Sequence, residues 1–168
     1  MDYRTADALN RAIRTLAMRH RGRALELLAP LGLYPGQEFV IMELAARGPA
    51  IQARIADAIG SEPPSVTLMA RKLEAAGYVR RTPASGDRRT TTVELTAAGR
   101  QLAEQIRRLW TVLGEQTLDD LHDPPADQIA ALLNRLAANI ADATPAPAAG
   151  SGTARSQALH RAASRAGR

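Results

Sequence analysis

The residues with chemistry to offer in this chain are cations, hydroxyls and one exposed aliphatic side chain. Pro64, Ser65, Thr67, Leu68, Arg71 and Lys72 fall within one half of a helical surface at 100° per residue. A guanidinium can pair with O6 and N7 of a guanine together, so Arg71 is the expected base reader, and Leu68 suits a thymine methyl. Ser65 and Thr67 suit phosphate oxygens, and Lys72 completes the outward face. A second group, Asp87-Arg88-Arg89, lies between two β-prone runs, where cations at a hairpin tip fit phosphates and a minor groove. The plain alternative for the first group is a solvated helix face.

The inventory excludes other chemistry. There is no cysteine, so disulfides, thiolate catalysis and thiol redox sensing are absent. The chain has no Gly-x-Ser-x-Gly elbow, no phosphate-cradling glycine loop and no histidine pair at i and i+4. Gly150-Ser151-Gly152 follows no strand. Asp119, Asp120, His122 and Asp123 gather metal-type donors, but they precede Pro124-Pro125 without ligand-like spacing to others, which fits a solvated helix end. His20 is far in sequence from His122 and His160 and reads as structural or solvated. No enzyme activity, metal or cofactor is expected.

The elements that must position these residues can be read from periodicity. A short helix over 53–59 carries Ile55 and Ile59 on one face, and Gly60 supplies the left-handed residue that ends it. Ser61 is the expected N-cap of the next helix, with Pro63 and Pro64 in its first turn, where missing N–H groups cost little. That helix runs to about residue 76. It turns Val66, Met69, Ala70 and Leu73 inward, and Gly77 stops it. A strand is expected over 78–81, turn chemistry over 83–86, and a β-branched strand over 90–95. Pro49-Ala50-Ile51 would add a third short strand. Two helices with such a turn, followed by a hairpin, make a winged helix-turn-helix whose second helix enters the major groove.

Three runs carry a resemblance. Leu73-Glu74-Ala75-Ala76-Gly77-Tyr78-Val79-Arg80-Arg81, then Asp87-Arg88-Arg89, then Leu95-Thr96-Ala97-Ala98-Gly99 resemble the MarR family of bacterial transcriptional regulators. The wing signature of that family is matched by Asp87, Arg89, Leu95 and Thr96. The resemblance covers roughly residues 9–140. It implies a homodimer joined by the first and last helices, a near-palindromic operator, mostly repression, and in many members release by a small aromatic or phenolic compound. It also implies that Asp87 orients the wing's basic side chains while Arg89 enters the minor groove. The chain departs from the pattern twice. Tyr34 stands where a threonine usually precedes Pro35, and Gln52 stands where a serine or threonine usually caps the next helix.

The rest of the chain is helical. Helices are expected over 5–28, from near residue 35 to Gly48, over 97–121 with Thr96 as cap, and over 126–141. The 97–121 helix would extend about 37 Å, more than a monomer of this size can readily cover. Only 3% of the residues are aromatic, so aliphatic side chains must fill the core. Between residues 47 and 100 nine bases face five acids; between 101 and 142 three face seven; after 142 come four bases and no acid. A basic reading head on an acidic assembly lobe would look like this.

The fold expected is therefore mainly α with a small β wing. One domain over 1–142 combines a reading head at about 35–96 with dimerisation helices at about 5–28 and 97–141. A disordered Ala/Pro/Gly/Arg-rich tail follows at 143–168. With no apolar span or signal segment, a cytoplasmic location is expected, with no membrane partner. The function expected is a sequence-specific DNA-binding regulator, with double-stranded operator DNA and a second copy of the chain as partners. A small-molecule effector is implied by the resemblance. The alternative is a winged-helix protein-interaction module that touches no DNA.

Overall fold

A computed structural model describes residues 1–84 and 87–141, with the backbone alone for 84 and 87–90. Ser85 and Gly86, within the expected turn, and the expected tail after residue 141 lie outside the described residues. By internal contacts the chain divides into two units, Met1–Asp120 and Leu121–Arg168.

Helix α1 spans Tyr3–Leu28. It starts earlier than the periodicity suggests because Asp2 caps it. The Asp2 carboxylate accepts from the Thr5 amide at 2.9 Å and from the Thr5 hydroxyl at 3.1 Å. The amide bond first, then the hydroxyl, holds the Asp2 carboxyl below the usual carboxylate range. Only Leu28 of this helix is buried, while Leu9, Ile13 and Leu16 stay exposed along one stripe. After a 3-10 turn at Ala29–Leu31, helix α2 (Gln37–Arg47) buries Val40, Ile41 and Leu44. Ile41 is fully buried, whereas Phe39 is 42% exposed.

Strand β1 (Ala50–Ile51) leads into α3 (Gln52–Ile59), the Gly60 turn at φ +64°, and α4 (Pro63–Ala75). Ser61 is not the cap of α4. Glu62 occupies that position without a side-chain hydrogen bond. The physical reason lies in the two prolines, which bring no N–H to the first turn, while the Ser65 and Val66 amides both reach the Glu62 carbonyl, at 3.0 and 3.2 Å. No donor is left for a serine hydroxyl to satisfy. The missing cap of α3 is likewise not replaced by any side chain.

Strands β2 (Val79–Ala84) and β3 (Asp87–Leu95) form the hairpin, and the antiparallel order is β1-β3-β2. Both strands run further than their β-prone cores. Asp87, Arg88 and Arg89, expected in the connection, belong to β3 by backbone geometry. The register jumps from Pro83↔Thr91 to Ala84↔Asp87, so Arg88, Arg89 and Thr90 are accommodated as a bulge. Val79, Val93, Val66, Ala70, Leu73, Ile55 and Ile41 meet in one aliphatic core beneath the sheet and the two short helices.

Helix α5 spans Ala97–Leu118 and is capped by Thr96, whose hydroxyl accepts from the Gly99 amide at 3.1 Å. It ends three residues before the expected Leu121, because Asp119 takes φ +43° and leaves the helical path. Gly99, Leu102, Ala103, Ile106 and Leu113 are buried. The chain thus covers one stripe of α5 with its own α1 and α2, more than the length of the helix led one to expect of a single chain. In the second unit, α6 (Ala126–Ala141) buries no residue, and Leu132, Leu133 and Ile140 are exposed. No helix among the described residues is long and apolar enough to cross a membrane.

Candidate nucleic-acid interface

The outer face of α4 is where the sequence places it, with one exception. Pro64, Ser65, Leu68, Arg71 and Lys72 are exposed, opposite the buried Val66, Ala70 and Leu73. Leu68 is a large apolar group left 56% exposed. Among the described residues no acid lies in ion-pair range of Arg71. Thr67 is the exception. It is half-buried, its hydroxyl donates to the Pro63 carbonyl at 3.0 Å, and it lies 3.3 Å from Gln52 Oε1. Thr67 therefore joins α4 to α3, and Gln52, which cannot cap α3 as a threonine would, meets it there.

Lys72 is exposed but not unconstrained, because its ammonium sits 3.9 Å above the centre of the Tyr34 ring. Tyr34 belongs to the turn before α2, and that turn is tightly held. The Tyr34 amide donates to Gln37 Oε1 at 2.9 Å, the Gln37 amide donates back to the Tyr34 carbonyl at 3.1 Å, and the Gly36 amide donates to Glu38 Oε2 at 2.7 Å. Buried Gln37 and Glu38 side chains thus satisfy the amides of the turn that precedes α2, while the helix itself has no side-chain cap.

The hairpin is fixed to the rest of the head at its base. Glu74, at the end of α4, accepts from the Arg81 amide at 3.1 Å and from Arg81 Nη1 at 3.2 Å. Arg80 pairs with Glu94, its register partner on β3. The Thr96 hydroxyl donates to the Gly77 carbonyl at 2.7 Å, and the Thr96 amide to the Tyr78 carbonyl at 3.0 Å. A Cβ at Gly99 would stand 2.0 Å from the same Tyr78 oxygen, so only glycine lets α5 seat there. The first and third of the sequence runs that carry the resemblance therefore converge on one junction of α4, β2 and α5. The side chains of Asp87, Arg88 and Arg89 lie outside the described residues.

Sequence reasoning missed Tyr34, Gln52, Glu74 and Arg81 as parts of this face. A trace existed for one pair only: opposite charges seven residues apart across the Gly77 helix stop. Nothing local could join Tyr34 to Lys72.

A helix-turn-helix whose second helix is exposed on its outer face, followed by an antiparallel hairpin and a third short strand, is a winged helix-turn-helix. The MarR family model matches residues 33–91. The HTH-type transcriptional regulator YwoH of Bacillus subtilis is 32% identical over 115 residues, which cover 68% of this chain and 80% of that one. The HTH-type transcriptional repressor MdtR of the same organism is 30% identical over 95 residues, 56% of this chain and 61% of its own. A mutant MarR from E. coli complexed with operator DNA superposes with a TM-score of 0.70 at 22% identity, over 81% of this chain and 99% of that one. The chain belongs to the MarR family of DNA-binding transcriptional regulators.

Proposed function

We propose that this chain is a homodimeric repressor that reads a near-palindromic operator with α4 and the wing, and that a small aromatic compound releases it. The observation that carries the DNA reading is the outer face of α4, where Leu68, Arg71 and Lys72 are exposed on a helix whose inner face is fully packed. Arg71 pairs with a guanine edge, Leu68 meets a thymine methyl, and Ser65 and Pro64 approach the backbone. Thr67 serves the α3–α4 junction and meets phosphate only if its hydroxyl turns away from Pro63. Asp87 orients the wing cations, and Arg88 and Arg89 reach phosphate and minor groove. The repressor role is supported by the name of MdtR and by the operator-bound neighbour.

Two uncovered apolar faces support the homodimer. Leu9, Ile13 and Leu16 on α1 are each 43–45% exposed, and Leu132, Leu133 and Ile140 on α6 are 46–71% exposed. A two-fold dimer places half-sites about one helical turn, roughly 10 bp, apart. In the first unit a cavity of about 230 Å³ opens between α1, α2 and α5, lined by His20, Arg21, Pro35, Glu38, Phe39 and Trp110. Trp110 Nε1 is buried with no hydrogen-bond acceptor, and its ring packs on Phe39 with centroids 5.8 Å apart. An aromatic ligand with a carboxylate or phenolate would pack beside the Phe39 and Trp110 rings and bring the charge that Arg21 can meet.

Selection of bound duplexes from a random pool tests the reading. Enrichment of a two-fold-symmetric sequence that competes unlabelled random DNA is expected. Absence of any enriched sequence would leave the protein-interaction module as the better account.

A further inference from the structure

We propose that Tyr34 is a positioning residue for DNA reading: its ring holds the ammonium of Lys72 and pre-sets the direction in which that cation leaves the recognition helix. The inference rests on the reading of α4 as the DNA-facing helix. Lys72 is the single lysine of the chain, and its Nζ lies over the Tyr34 ring at 3.9 Å. A lysine ammonium on a four-carbon stem ordinarily samples many rotamers and loses that freedom when it meets a phosphate. A ring beneath it removes part of the freedom in advance.

The ring can do this because its own backbone is fixed. Reciprocal bonds to Gln37 hold the Tyr34 amide and carbonyl, and Glu38 holds the next amide but one. Gln37 and Glu38 are 4% and 5% exposed, so these braces are not mobile surface groups. The same turn is seated directly on α4. A Cβ at Gly36 would come within 2.8 Å of Met69 Cε, and Met69 lies one helical turn before Lys72. The turn and the helix are thus registered at two places on one stripe. Lys72 is exposed as well as Tyr34, so the ring does not close the ammonium off from an incoming phosphate.

A ring that merely sequestered the ammonium would weaken DNA binding, and one that orients it strengthens binding. The geometry favours orientation, because a ring face engages the ammonium on one side only and leaves its remaining N–H donors outward.

The single lysine makes the contact directly observable. In full-length protein carrying 13C-lysine, the Lys72 ε-methylene signal should be shifted upfield by the ring, retain that shift in Tyr34→Phe, and lose it in Tyr34→Leu. On the selected duplex at fixed salt, Tyr34→Leu should bind about twofold to fivefold more weakly, the range of one exposed cation–π contact. Tyr34→Phe should bind as the native chain does. In a Lys72→Gln background, Tyr34→Leu should add nothing. An unshifted lysine signal, unchanged or tighter binding by Tyr34→Leu, or additive losses in the double variant would overturn the inference. If the native chain bound no duplex while the lysine signal stayed shifted, the DNA reading itself would fall and this role with it.

Discussion

Replacing Glu74 by alanine should weaken DNA binding even though it removes a negative charge from a basic head. Glu74 spans the gap between the end of α4 and the first wing strand, with one oxygen on the Arg81 amide at 3.1 Å and the other on Arg81 Nη1 at 3.2 Å. Hydrogen bonds to a charged group contribute about 1.5–3 kcal/mol when sheltered, and exposed ion pairs about 0–1 kcal/mol. The Arg81 side chain is 19% exposed and that of Glu74 41%, so a loss of about 1–2 kcal/mol is expected. Among the described residues Arg81 Nε is buried without an acceptor, so Glu74 is the acid that holds this guanidinium there. For a chain of this size the melting temperature should fall by about 2–8 °C. Glu74→Gln keeps an acceptor for the amide and should lose roughly half as much. Circular dichroism melts and gel shifts at matched salt measure both effects. Simple charge counting says the alanine variant binds DNA more tightly, whereas loss of the brace lets the wing drift from α4 and weakens binding. An alanine variant that melts with the native chain, or that binds DNA more tightly, would refute the reasoning.

The same junction gives a pair of opposite effects in α5. Gly99→Ala sets a Cβ against the Tyr78 carbonyl and should cost about 2–3 kcal/mol net of its better helix propensity, whereas Gly114→Ala meets open space and should gain up to about 1 kcal/mol, both read from denaturant melts. Arg89→Ala should leave the fold intact, weaken binding and lower the salt slope by about one counterion. Asp87→Ala should also bind worse, because an oriented guanidinium is needed in a groove about 6 Å wide, and tighter binding at matched salt would show that net charge governs the wing. Light scattering should find a dimer at micromolar protein, and a monomer would remove the half-site spacing. Truncation after Ala143 should leave the preferred sequence unchanged and make the salt dependence shallower, since four tail arginines are lost. A changed sequence preference would assign the tail a reading role.

What the sequence by itself determined was most of what short-range physics controls. Gly60, Gly77 and Gly48 stop helices because each needs a left-handed or otherwise unusual φ. The inward stripe of Val66, Ala70 and Leu73 follows from a 3.6-residue period, and the β-branched run before Leu95 follows from strand propensity. Thr96 as the cap of α5 was legible for the same reason, and so was the outward set on α4, apart from Thr67. The end points were less legible. Ser61 reads as a cap only until the prolines after it are seen to leave nothing to cap, and Asp119 ends α5 by a backbone choice that no local preference announces. Only the tertiary structure decided which side chains meet. Tyr34 reaches Lys72 across thirty-eight positions, Gln52 reaches Thr67, Glu74 takes Arg81, and Gly99 closes on Tyr78. Each of these contacts depends on how two elements are set against each other by the shared aliphatic core. A spacing rule carries no information about that arrangement, because packing direction is settled by the sum of many nonlocal contacts rather than by any one residue.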